Sequence, residues 1–144
     1  MPSPLDFPAR GKVIRVEGNV VVFNPAGTTY ELHLVNRGGQ PPAAAPATIS
    51  CHIRGVARKV WTMASGGNFV TPILGTPRVV QGMVRYLDEK TAVIQAGVPF
   101  ILALPDDSSS FDLINGPVTT GVMINATIFP GATFELAVAA VVQS

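Results

Sequence analysis

Apolar residues in this chain recur at every second position, not every third or fourth. Tyr30, Leu32 and Leu34 alternate with Glu31 and His33, and Ile49, Cys51 and Ile53 alternate with Ser50, His52 and Arg54. A period of two puts such residues on one face of a strand. Val, Ile, Thr, Phe and Tyr fill the apolar segments, and Gly and Pro punctuate them at short intervals. That pattern predicts an all-β chain of short strands. Strands are expected over residues 12–16, 19–24 and 29–35, then over 47–54 and 57–63 as a bent strand or hairpin, then over 68–73. A second series is expected over 83–87, 91–95, 99–104, 118–129 and 133–142. The last of these is Ala-rich, but Phe134, Leu136 and Val138 alternate. Residues 36–46 (NRGGQPPAAAP) carry three prolines without backbone donors, so they read as a loop. Residues 105–117 read as a loop with one helical turn.

The two series share one pattern. Residues 11–34 and 82–104 match at Gly11 and Gly82, Val13 and Val84, Val16 and Leu87, and Val22 and Val93. One residue is then dropped. Gly27 meets Gly97, Tyr30 meets Phe100, Leu32 meets Leu102 and Leu34 meets Leu104. Further on, Ile49, Cys51 and Ile53 align with Thr120, Val122 and Ile124. Self-similarity of this kind implies an internal duplication. Each half alone would bury only about 60% of its unfolded surface, so the halves are expected to pack on each other or on another subunit.

A three-strand meander, a variable connection and two further strands is the order of an OB-fold. The chain resembles a tandem pair of OB-like barrels of about 70 residues. The reading is an N-terminal arm over 1–10, a first barrel over 11–76 and a second over 77–144. A single β-sandwich built from the same strands is the alternative. The resemblance rests on strand order and glycine spacing, and it implies a fold without a function. OB barrels bind through one face and the loops between strands one and two and strands four and five. Gly18-Asn19 and Ser65-Gly66-Gly67 stand where those loops are expected.

Between the copies the outer strand positions differ. Opposite the core side, copy one carries Glu31, His33, His52 and Arg54; copy two carries Ile101, Ala103, Met123 and Asn125. An apolar outer face marks a contact surface. Ile101, Ala103 and Met123 are therefore candidate interface residues, for the other barrel or for a second copy of the chain.

Charge sharpens this division. Charged residues make up 13% of the chain and the net charge is +1, so solubility depends on few groups. Residues 1–79 hold eight Lys and Arg against three carboxylates, a balance of +5, and residues 80–144 hold two against six, a balance of −4. Such asymmetry suggests a polyanion partner for the first half or head-to-tail pairing. The densest cationic run is Arg54, Arg58 and Lys59 beside Trp61. Cations attract phosphates, and an aromatic face stacks a base for about 1–3 kcal/mol. Arg15, His52, Arg54, Arg58, Lys59 and Trp61 are thus the candidate nucleic-acid or polyanion site. Trp61 aligns with Phe134, which favours a core role for it over stacking.

Catalytic signals are weak. His33 and His52 are the only histidines, and Cys51 and His52 point to opposite sides of one strand. Cys51 reads as a small core residue. Two His and one Cys are too few for a zinc site within one chain. Asp106, Ser108, Ser110 and Asp112 have calcium-loop spacing without its central Gly or its final Glu. No metal or cofactor is implied. The start of the chain lacks a signal-peptide pattern and no apolar run is long enough for a membrane helix, so the expectation is a cytoplasmic protein without a membrane role. The reading is a non-enzymatic module that self-associates as a homo-oligomer, with nucleic-acid or polyanion binding as the alternative.

Overall fold

The computed structural model describes residues 2–37 and 47–137. The expected loop over 36–46 and the end of the expected strand over 133–142 fall largely outside the described residues. Among the described residues twelve strands form one mixed sheet. They are β1 (Ala9–Glu17), β2 (Val20–Pro25), β3 (Glu31–Asn36), β4 (Ile49–Met63), β5 (Phe69–Thr71), β6 (Leu74–Gly75), β7 (Val79–Leu87), β8 (Thr91–Gln95), β9 (Pro99–Ala103), β10 (Phe111–Asp112), β11 (Met123–Ile128) and β12 (Thr133–Leu136). Single 3-10 turns occur at Pro4–Asp6 and Ser108–Ser110. The Asp107 carboxylate caps the second by accepting from the Ser109 N–H at 3.0 Å.

The all-β reading is correct, and two meanders carry it. β1 pairs with β2 through Val13↔Phe23 and Arg15↔Val22, with a bulge at Ile14 between them. β7 pairs with β8 through Val84↔Ile94 and Tyr86↔Val93, with a bulge at Arg85. A bulge bends its strand and raises its twist. Gly11 and Gly82 each stand three residues before these bends. A Cβ on Gly11 would lie 2.2 Å from the Asn24 carbonyl oxygen, and one on Gly82 would lie 2.1 Å from that of Gln95. The strands curl too closely for any other residue. Gly27 and Gly97 turn the chain into the third strand at φ +78° and +82°, which glycine adopts freely.

The third strands correct the sequence alignment. Val22 pairs with His33, whereas Val93 pairs with Ile101. By register Leu32 corresponds to Phe100, Leu34 to Leu102 and His33 to Ile101. The reason is turn length: residues 26–30 join β2 to β3 but only 96–98 join β8 to β9. The fourth strands shift too. Gly11 pairs with Ile49 and Gly82 with Ile124. Ile49, Cys51 and Ile53 thus correspond to Ile124, Ala126 and Ile128. Residues 118–122, expected as strand, precede β11, and Gly121 turns the chain there at φ +93°.

The strands close into two five-membered rings that exchange strands. The first runs β1-β2-β3-β12-β4 and back to β1. The second runs β7-β8-β9-β4-β11 and back to β7. β4 is continuous, with its first half in one ring and its second half in the other. β12 returns from the C-terminal half to close the first ring. The pairings therefore cross the boundary at residue 76. Phe23, Phe134, Leu32, Leu34 and Ile53 join Ile94, Phe100, Leu102, Val60 and Ile124 in one fully buried core. Gly55 in β4 makes room for Phe100, since a Cβ there would lie 2.8 Å from its ring.

Residues 2–8 lie on the second ring. The turn at Pro4–Asp6 packs on β8. The Phe7 ring lies 6.2 Å from that of Tyr86, with the Arg85 guanidinium 5.7 Å above Phe7. His52 Nε2 sits 3.0 Å from the Leu5 carbonyl oxygen, to which it donates as the Nε2–H tautomer.

Candidate ligand-binding face

β4 positions most of the sequence-predicted cationic site. Its burial alternates, with Cys51, Ile53, Gly55 and Ala57 inward and His52, Arg54 and Val56 outward. A register shift against β11 at Thr127/Ile128 then places both Arg58 and Lys59 outside while Val60 returns to the core. Trp61 follows on the outer side, half-buried, with Lys59 Nζ 5.3 Å above its ring. The core role expected from its alignment with Phe134 is therefore corrected. Phe134 is fully buried, and the bulge has turned Trp61 the other way. His52, Arg54, Arg58, Lys59 and Trp61 thus share one outer face. Arg15 does not join them. It lies on β1, bonded to Glu17 and 3.7 Å from Glu31. The same bond holds the Glu17 carboxyl below its ordinary range. Gly18, Asn19 and Ser65–Gly67 line neither cleft on this face.

Strand exchange adds residues that sequence pattern did not single out. Across the centre of the face runs a row of directly paired residues: Val35 on β3, Thr133 on β12, Arg54 on β4, Ile101 on β9 and Val93 on β8. Above this row is a cleft of about 340 Å³, walled by Ile101, Ala103, Val56 and Phe129, with Arg37 and Arg54 on its lining and Pro4 at its edge. A second cleft of about 720 Å³ shares Phe129 and Pro130 and carries Arg58 and Arg78. Phe129 is exposed, and its N–H donates to the Val56 carbonyl at 2.9 Å.

The electrostatics of the face are unbalanced. Arg54 Nη2 lies 3.5 Å from Glu135 Oε1. Among the described residues, Arg37, Arg58, Lys59 and Arg78 have no carboxylate within ion-pair distance. Two polar atoms on the row are also unsatisfied. Arg54 Nε and Thr133 Oγ1 are buried and have no hydrogen-bond partner among the described residues. Arg37, Arg78, Phe129 and Thr133 were visible in the sequence only as isolated residues, because their positions depend on remote strand pairings.

The three candidate interface residues lie in different settings. Ile101 is only 2% exposed and lies within the chain's own cleft, where it pairs with Arg54 of β4. Ala103 is exposed. Met123, half-buried, pairs with Met63 on one side and Met83 on the other, a methionine row across β4, β11 and β7. Cys51 is buried, and burial pushes its thiol up, which keeps it protonated and unreactive. Among the described residues no three His, Cys, Asp or Glu side chains converge as a metal site, and no helix is long and apolar enough to cross a membrane. Comparison with protein-family models, with curated proteins and with solved structures gives no match.

Proposed function

We propose that this chain is a non-catalytic binding module that takes a polyanion, in the first place single-stranded nucleic acid, along the outer face of β4. In this reading the module is a duplicated pair of OB-like barrels that have exchanged their fifth strands, and it works in the cytoplasm. The observation that carries it is the group Arg58, Lys59 and Arg78, cations without carboxylate partners among the described residues, beside Trp61 and the exposed Phe129. Cations without local partners gain most from phosphates, and the flat side chains offer stacking surfaces for bases. The test is anisotropy of a labelled oligo-dT strand titrated at several salt concentrations. Affinity should fall steeply with salt, and Arg58→Ala, Lys59→Ala and Arg78→Ala together should flatten the slope by about two ions. Trp61 fluorescence should change on binding. No binding at low salt sinks this reading.

Self-association is the second reading, and the methionine row favours it. Met63, Met123 and Met83 present adaptable apolar surface on three neighbouring strands. If copies meet there, the solution mass should exceed one chain and Met123→Lys should restore the monomer. A wild-type monomer at high concentration removes this reading.

A further inference from the structure

The smaller cleft contains an unmet demand for an acceptor. Thr133 and Arg54 face each other across the β12–β4 pair. Each contributes a buried donor, Oγ1–H and Nε–H, and neither donor has an acceptor among the described residues. Buried polar groups almost always find partners, so two adjacent orphans call for an occupant. Both residues line the cleft. The Arg54 side chain remains 31% exposed, so its guanidinium opens to the cleft although its Nε does not.

The occupant's charge and body follow from the same walls. Arg37 and Arg54 against Glu135 leave one unbalanced positive charge at the cleft. Beyond the donors the walls are mostly apolar, with Ile101, Ala103, Val56 and Phe129 set against one further polar residue, Thr91. The volume, about 340 Å³, lies at the small end of the roughly 300–1,000 Å³ range of small-molecule sites. We propose that this cleft binds a small monocarboxylate with an aliphatic or aromatic body, its carboxylate on Arg54 and Thr133 and its body against Ile101, Val56 and Phe129. Guanidinium and carboxylate geometries match, and such bonds are roughly twice as strong as neutral ones. The site does not rest on the polyanion reading, since Arg58, Lys59 and Arg78 are not on its lining.

Calorimetric titration of the full chain with hexanoate, hexanamide and inorganic phosphate, at fixed ionic strength, tests it. Hexanoate should bind one per chain, with hexanamide and phosphate each about tenfold weaker or worse. Thr133→Val should weaken hexanoate about tenfold while the melting temperature holds, since it deletes a hydroxyl that has no partner among the described residues. Arg54→Met, which keeps the stem and removes the charge, serves as the second variant should the first not fold. Arg58→Ala with Lys59→Ala should leave hexanoate binding intact even where it abolishes oligonucleotide binding. The proposal is overturned by a folded protein that gives no hexanoate binding at millimolar concentration, by equal affinities for acid and amide, by phosphate binding as well as hexanoate, or by binding indifferent to both variants.

Discussion

Two threonines in the sheet have opposite consequences for stability. Thr133 buries a hydroxyl that has no partner among the described residues. Thr62 is more deeply buried, but its Oγ1 accepts from the Asn115 N–H at 3.2 Å, and its carbonyl accepts from Asn115 Nδ2 at 3.0 Å. Thr62→Val strands a backbone donor and should cost about 1–3 kcal/mol, whereas Thr133→Val should cost nothing measurable. Urea unfolding of the pair checks the contrast. The Asp88 carboxylate gives a further residue-scale expectation. It accepts from the N–H groups of Lys90 and Thr91 and from the Tyr86 hydroxyl. These bonds hold it below its ordinary value of 3.8, the Lys90 N–H most strongly. A lowered folded-state value means stability that is fully present above that ordinary value and is lost as pH falls through the depressed one. Asp88→Asn should therefore lessen the acid loss of stability, read as melting temperature from neutral pH down to pH 2. The change should be small because the group is exposed.

At the scale of elements, the tightest constraints are the glycines that let strands curl. Gly82→Ala sets a Cβ against a backbone carbonyl, which cannot swing away, so its cost should reach or exceed the about 3 kcal/mol top of ordinary overpacking. Gly55→Ala meets side-chain atoms of Phe100 and Ile128, which can give, and should cost about 1–3 kcal/mol. Leu32 and Leu102 are both fully buried, as the alternation of their strands requires, and truncating either to Ala should cost about 2–5 kcal/mol. Guanidinium unfolding ranks all four. These elements were legible because strand period and glycine spacing are local properties: Gly11 and Gly82, or Gly27 and Gly97, recur wherever the same curl recurs. The register of the third strands was not, because turn length slides a strand without changing its alternation. Trp61 was misread for a related reason. One bulged residue at Arg58 reverses every side chain that follows it. Ile101 looked like an interface residue because its apolar outer position was plain, while the cleft that encloses it draws on β4, β12 and the N-terminal turn. The cationic run on β4 was legible as composition. Its companions Thr133 and Phe129 reach it by pairings that no local pattern encodes.

For the whole molecule, exchange of strands decides how the chain unfolds. If each half closed its own barrel, the two could melt separately. Instead the first ring lacks a wall without β12, and the second lacks one without the far half of β4. One core runs through both rings, with Phe23 5.7 Å from Phe134 of the opposite half. Opening either ring leaves strand edges and apolar interior to water, which costs about 25 cal/mol for each Å² of apolar surface. Neither half should therefore be stable alone, and the intact chain should unfold in a single step. Trp61 stands on the second ring's stretch of β4, so its fluorescence reports that ring, while far-ultraviolet dichroism reports both. The two probes should give coincident melting curves, with calorimetric and van't Hoff enthalpies equal. Expressed separately, residues 1–76 and 77–144 should each lack cooperative unfolding, and mixing them should restore it, since each carries the strand the other needs. A fragment that melts cooperatively by itself, or an intact chain with two resolved transitions, would show that the rings stand independently and that the shared β4 only tethers them.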